Sequence, residues 1–394
     1  MDYKQKALIL HRQKRGKIAI QSKVPVNNRD DLSVAYTPGV AEPCRQISKN
    51  PDDVYKYTSR GNMVAVVTDG TAVLGLGDIG PLAAMPVMEG KAVLFKSFAN
   101  VDAFPICLNT KDVDEIVRTI ELIAPSFGGI NLEDIAAPRC YEIENRLRKS
   151  LEIPVFHDDQ HGTAVVCSAA LINGLKILKK GMDDIKVVIN GIGSAGSAIA
   201  RLLIHLGVRN MTLCGRDGIL YPGNPKNDFM KEKLAQITNS EGRRGILADA
   251  MKGANVFIGV SVPGTVTAEM IKSMDKDSIV LAMANPDPEI DPEPAKKAGA
   301  RIVGTGRSDF ANQVNNVLAF PGIFRGALDV RASDINEEMK VAAAYAIASV
   351  VPEHKLSETN ILPAPFDERV VPAVAAAVAD AARKSGVARV QEDK

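Results

Sequence analysis

Paired carboxylates occur at two places in this chain. Glu133 and Asp134 follow Ile130-Asn131-Leu132, and Asp158 and Asp159 lie inside Pro154-Val155-Phe156-His157-Asp158-Asp159-Gln160-His161-Gly162-Thr163. Adjacent acids repel one another, so burying them requires a cation or a base nearby. Converging carboxylates suit a hard divalent ion, Mg²⁺ or Mn²⁺. Taken alone, Glu133 and Asp134 read as an acidic surface patch at a helix start. The second pair is the stronger signal, because Val155-Phe156 precedes it and Gly162 opens a helix after it. His157 and His161 straddle this pair at i and i+4, but no third His or Cys has zinc-ligand spacing, so they read as residues that orient the loop by hydrogen bonds. Lys91 sits in the otherwise apolar Met88-Glu89-Gly90-Lys91-Ala92-Val93. A partly buried lysine beside carboxylates can be tuned toward a general base; considered alone, the same residue reads as a snorkelling surface lysine. Tyr36, just before the Pro38-Gly39 turn, reads by itself as a packing tyrosine.

A second kind of chemistry is written in Ile185–Gly207. Ile185 to Asn190 is a short run rich in β-branched residues, and Gly191, Gly193 and Gly196 form G-x-G-x-x-G around Ser194 and Ala195. Ala195, Ile199, Leu202, Leu203 and Leu206 then keep helical spacing until Gly207. Placed between a strand and a helix, the first glycine permits the tight turn, the second lets backbone approach a pyrophosphate, and the third allows close helix–strand packing. The helix N-terminus offers free N–H groups to the phosphates. An acid that holds the ribose 2′-OH is expected at the end of the next strand, Met211-Thr212-Leu213-Cys214. Gly215 stands there, with Arg216 beside it. Loss of the acid next to an arginine suits a 2′-phosphate, so the reading leans to NADP over NAD. Asp217 still reaches the ribose if the strand ends two residues later, and both charges are also compatible with a solvated turn.

The elements that must position these groups divide into two regions. A length of 394 residues suits two domains, each with its own core. In the first, residues 1–155, Met63–Thr68 and Ala72–Leu76 read as a hairpin around Asp69-Gly70-Thr71, and Val113–Ala124 as an amphipathic helix. In the second, residues 156–394, strands are expected at Ile185–Asn190, Met211–Cys214, Val256–Ser261, Ser278–Ala284 and Arg301–Thr305, with helices between them. That rhythm is a parallel doubly wound sheet, with Ser261-Val262-Pro263-Gly264 and Asn285-Pro286-Asp287-Pro288 at its ligand-binding edge. Residues from 320 onward read as helices that pack back on the sheet, and Val370–Ala382 as an amphipathic one. The fold class is therefore α/β, an N-terminal α/β substrate and metal domain followed by a Rossmann-type domain.

With 48 basic and 47 acidic residues and no basic run, nucleic acid is not an expected partner. No leader is expected in the polar start MDYKQKALIL, and no apolar run of membrane-spanning length is seen. Five dispersed cysteines, Cys44, Cys107, Cys140, Cys167 and Cys214, fit a reducing cytoplasm.

Taken together these segments resemble the malic enzymes, in particular the short bacterial type. The resemblance runs through SVAYTPGVAEPC (33–44), VVTDGTAVLGLGDIG (66–80), EGKAVLFK (89–96), NLEDIAAPRC (131–140), FHDDQHGTA (156–164), GIGSAGSAIA (191–200), ANPDPE (284–289) and SDFANQVNNVLAFPG (308–322). It implies that Tyr36 is the general acid, Lys91 the general base, Asp158 the acid paired with that lysine, and Glu133, Asp134 and Asp159 the metal ligands. It also implies that Asn285 and Asn316, with Asn315 adjacent, hold the substrate, Asn285 lying beside the cofactor as well. Two departures stand out. Ala72 occupies the place where large malic enzymes carry a carboxylate-binding arginine, and Gly215 replaces the ribose acid.

The implied reaction is oxidation of malate at C2 by NAD or NADP, then loss of CO₂ and protonation at C3 to give pyruvate, with Mg²⁺ or Mn²⁺. A malolactic enzyme on the same scaffold would instead keep its cofactor and release lactate; a silent dinucleotide-binding regulator would have no use for the full acid, base and carboxylate set. The first 60 residues carry Leu8, Ile9, Ile18, Ile20 and Val24 among many charges, too open for a core of their own. A second subunit is the expected cover, making a homodimer in which one chain lends Tyr36 or Lys91 to the other.

Overall fold

The structure, a computed structural model, describes residues 2–73 and 75–391. Two sheets organise it. The first contains β1 (Met63–Thr68), β2 (Asp102–Cys107), β3 (Gly129–Leu132) and β4 (Val155–His157), in the order β2-β1-β3-β4, all parallel. The hairpin expected at β1 does not form. Strand β1 is buried from Val64 to Thr68 and pairs with β2 and β3, as a central parallel strand must. After it, Gly70, Gly75 and Gly77 take φ of 70°, 71° and 75°, and Asp69 Oδ1 accepts from Thr71 N (3.1 Å) and Oγ1 (2.6 Å). Those left-handed glycines fold the chain into turns where a second strand was expected; Leu74 lies outside the described residues.

The second sheet contains β5 (Lys186–Asn190), β6 (Asn210–Gly215), β7 (Gly218–Ile219), β8 (Val256–Gly259), β9 (Ile279–Ala282) and β10 (Ile302–Thr305). Its order is β10-β9-β8-β5-β6-β7, parallel except for the short β7. Strand order reverses at β5, which places a crevice at its carboxyl end. Side chains alternate strictly between faces. Val187, Ile189, Leu213, Ile258 and Leu281 join one core, which runs on into the first sheet, while Val188, Cys214, Phe257 and Val280 join the other.

The helix Asp158–Leu178 links the sheets and is buried along almost its whole length. By length and composition it could cross a membrane, so the expectation of no such stretch is corrected; 78% of its apolar window is buried inside the protein, as in a core helix. Asn173 Nδ2 within it donates to Ala348 O (2.8 Å) and Ile361 O (2.9 Å), tying the C-terminal region to it. The C-terminal helices Phe320–Asp329, Glu337–Val350 and Val370–Lys384 pack together, and the first of them reaches the first sheet while Glu337–Val350 lies on the helix Asp158–Leu178. Phe320 and Phe324 set their rings 4.8 and 5.2 Å from that of Phe95, and Phe324 lies 5.8 Å from Phe156.

The N-terminal helices Tyr3–Lys14, Arg29–Ala35 and Ala41–Lys49 bury no residue. Leu8, Ile20 and Val24 are exposed, as the sequence suggested.

Candidate active site

Glu133 directly follows β3, and Asp134 takes φ 54°, a left-handed turn that Asp tolerates. That turn aims the Asp134 backbone N–H at Asp159 Oδ2 (2.8 Å). The acidic patch at a helix start is therefore replaced by a buried strand end: Glu133 is 5% and Asp134 3% exposed. One oxygen from each of Glu133, Asp134 and Asp159 lies within 4.8 Å of the others. Burial, together with Asp159, Asp158 and Asp134, pushes the Glu133 carboxyl well above its usual range, against the pull of Lys91. A purely oxygen donor set with surplus negative charge fits a hard divalent cation. The histidines do not form a zinc site: His161 Nε2 turns to Glu144 Oε1 (2.7 Å), leaving His157 alone near Asp159 (3.3 Å).

Lys91 rises from the helix Gly80–Ala99 into this cluster. Its Nζ lies 2.6 Å from Asp158 Oδ2, 2.9 Å from Glu133 Oε1 and 4.2 Å from the centre of the Phe320 ring. Burial works against its charge, but Asp158 and Glu133 outweigh it and hold the lysine pKa above its ordinary value. Asn316 Nδ2 donates to Asp158 Oδ2 (3.1 Å), and its Oδ1 accepts from Thr163 Oγ1 (3.1 Å). Gly162 is needed for room: a Cβ there would sit 1.9 Å from Asp158 Oδ1.

Lys91, Glu133, Asp134, Asp158, Asp159 and Asn316 are thus brought together. Asn315 instead caps the turn Asn316–Leu318, its Oδ1 accepting from Val317 N (3.0 Å). Asn285 lies on a neighbouring loop beside a cis peptide to Pro286, where the Gly75 turn approaches it. Tyr36 ends the helix Arg29–Ala35 and is 67% exposed. It is not among the residues gathered at the carboxylate cluster.

At the crevice beside β5 the glycines have local geometric reasons. Gly191 takes φ 113°, and a Cβ there would meet Val260 O at 2.4 Å; one on Gly196 would meet Gly191 O at 1.8 Å, whereas Gly193 faces open space. Ser194 and Ala195 begin the helix Ser194–His205. Gly191 and Gly193 line a cavity of about 710 Å³ that extends to Gly215, Arg216 and Ser261. Gly215 closes β6, and the carboxylate of Asp217 on the following turn is paired with Lys226.

Sequence reasoning missed two residues here. Glu289, fully buried, accepts from Ser261 N (2.8 Å), Ser261 Oγ (3.0 Å) and Ala284 N (3.0 Å). It ties the loop after β8 to that after β9, and Gly259 leaves it space, since a Cβ would lie 2.4 Å from Glu289 Cδ. Its place at the end of ANPDPE was the available signal. Arg139, whose place in NLEDIAAPRC was the same kind of signal, reaches Asp69 Oδ2 (2.8 Å) and Thr71 Oγ1 (2.9 Å) and pins the glycine turns.

A doubly wound sheet with a glycine-rich phosphate turn, opening beside a lysine and a carboxylate cluster, defines a dinucleotide-linked oxidoreductase. The pattern of the malic enzyme N-terminal domain matches residues 15–148, and that of the malic enzyme NAD binding domain matches 160–383. The bifunctional malic/malolactic enzyme of Bacillus subtilis is 62% identical over 100% of this chain and 96% of its own length. The NAD-dependent malic enzyme of Geobacillus stearothermophilus is 59% identical over 95% of this chain and 78% of its own. The crystal structure of a malic enzyme from Pyrococcus horikoshii superposes with a TM-score of 0.96 at 49% identity, covering 100% of this chain and 93% of the other. The chain belongs to the malic enzyme family.

Proposed function

We propose that this chain oxidises malate at C2 with NAD(P) and decarboxylates the product to pyruvate and CO₂. The observation that carries this reading is Lys91, held between Asp158 and Glu133 at the edge of a three-carboxylate cluster. Lys91 takes the C2 hydroxyl proton, with its Nζ aimed by Asp158, while Asn316 steadies Asp158 and faces the substrate. Glu133, Asp134 and Asp159 would hold Mg²⁺ or Mn²⁺, which would supply Lewis acidity and counter-charge for the carboxylates that otherwise keep Lys91 protonated. The turn from Gly191 to Gly196 would hold NAD(P), which would supply the hydride acceptor. Tyr36 returns a proton to C3 of enolpyruvate.

The chain divides near residue 155, where β4 completes the first sheet and the helix Asp158–Leu178 begins. It works as a two-fold homodimer in which the N-terminal arm, with its exposed apolar residues, docks on a second copy and carries Tyr36 to that copy's site. Its five cysteines are all free, which suits a cytoplasmic location. Arg216 and Lys226 beside the ribose position support acceptance of NADP, alongside NAD.

The test is absorbance at 340 nm with malate, Mn²⁺ and each cofactor in turn; absence of NAD(P)H formation with both would overturn the reading. The name of the Bacillus subtilis relative favours a second activity, release of lactate with retained cofactor. Lactate formed without net NAD(P)H production would establish it.

A further inference from the structure

Glu144 is a buried carboxylate that the reaction above does not use. It lies on the helix Arg139–Ser150, 5% exposed, and faces the start of the helix Asp158–Leu178. Its Oε1 accepts from His161 Nε2 (2.7 Å) and from His157 N (3.3 Å), and its Oε2 from Gln160 Nε2 (3.1 Å). These donors come from both sides of Asp158-Asp159, so one carboxylate grips the segment that bears the acid pair. A second layer lies behind it. Lys340, 2% exposed on the helix Glu337–Val350, places Nζ 3.3 Å from His161 Nδ1 and pairs with Glu337. An ammonium only donates, so His161 Nδ1 accepts; its Nε2 then carries the hydrogen that reaches Glu144.

We propose that Glu144 is a positioning residue for the metal site: its hydrogen bonds fix the direction in which Asp158 and Asp159 point, and Lys340 fixes the imidazole that supplies the shortest of them. The inference rests on the reading of Asp159 as a metal ligand. Groups that orient ligands typically change metal affinity or activity by about 10- to 100-fold when removed. A residue that merely held two helices together would change stability and leave the affinity of the folded protein alone.

The experiment measures Mn²⁺ binding by the electron paramagnetic resonance signal of the free ion, with NADH binding by nicotinamide fluorescence as control. Glu144→Gln keeps the shape but sets an amide against the Gln160 amide and removes the charge. We expect its Mn²⁺ Kd to rise about tenfold, with kcat falling and NADH affinity unchanged. Gln160→Leu carries the same test if Glu144→Gln does not fold. It removes one donor, and the buried Gln160 Oε1 has no hydrogen-bond partner to lose. Its expected rise in Kd is smaller, about threefold, because two of the three donors to Glu144 remain. Folded Glu144→Gln or Gln160→Leu protein with wild-type Mn²⁺ affinity and kcat would overturn the proposal, whatever the change in melting temperature. Asp159→Asn separates the two questions: if it binds Mn²⁺ as well as wild type does, the ligand reading fails, whereas its loss of binding beside an unaffected Glu144→Gln removes the positioning role alone.

Discussion

Lys91 and Asp158, 67 residues apart in the chain, meet at 2.6 Å where the Asp158 side chain has no exposure at all. Each is the answer to the other's burial. Removing one partner of such a pair leaves a buried charge uncompensated, at a cost of about 3–5 kcal/mol.

For the proton steps, Lys91→Ala is expected to lower malate oxidation by at least about 100-fold, the usual scale of a lost general base. Added methylamine should restore part of the rate. Tyr36→Phe should slow conversion of enolpyruvate to pyruvate more than hydride transfer. A Tyr36→Phe enzyme with wild-type pyruvate formation would move the acid role elsewhere.

At the carboxylate cluster, Asp159→Asn removes one charge and one ligand oxygen. Mn²⁺ Kd should rise by at least about tenfold, with a parallel fall in kcat. Titration with Mn²⁺ at fixed malate checks this, and an unchanged half-saturation point would refute the assignment.

Cofactor choice turns on the end of β6. Gly215→Asp supplies the missing ribose acid, although its Cβ would come within 3.2 Å of Ile192 Cδ1, which must yield slightly. The ratio of kcat/KM for NADP over NAD should fall. Lys226→Ala, which frees the paired Asp217, should move the ratio the same way. Constancy of that ratio in both variants would show that these residues do not read the 2′ position.

Much of the second sheet was legible because its strands are continuous apolar runs and its glycines serve local geometry. The first sheet was harder. Strand β1 pairs with chain that arrives around residues 102 and 129, and no local pattern tells a central parallel strand from half of a hairpin. Glu133 and Asp134 looked like surface acids because burial depends on where β3 stops and on the left-handed turn at Asp134. Glu144 was invisible, since its meaning arises only when one helix is laid against another.

Shared sites have a numerical signature. Lys91 pairs with Asp158 and Glu133 of its own chain, so mixing Lys91→Ala with Asp159→Asn subunits under conditions of exchange should recover no activity. Tyr36→Phe mixed with Asp159→Asn should recover up to about a quarter of wild-type pyruvate formation, because half the dimers are hybrids with one intact site. Proven exchange without recovery in that second mixture would mean that Tyr36 acts from its own chain.

Acid stability should report on Glu144. Burial opposes its charge, but His161, His157 and Lys340 outweigh it and hold its carboxyl far below the ordinary range. Its folded pKa thus lies below the unfolded value of about 4.3. The stability it contributes is present above that value and lost as pH falls toward the folded pKa. Urea denaturation from pH 6 to pH 3.5 should show a shallower acid limb for Glu144→Gln than for wild type. Parallel limbs would contradict the shift.

The helix Asp158–Leu178 begins with the acids of the site and continues as a deeply buried rod in the core. The region that carries Asp158 therefore belongs to the last part of the protein to open, not to a fraying edge. Heating should not produce a folded but inert enzyme whose site has melted ahead of its core. Loss of activity and loss of amide protection along this helix should fall on one curve.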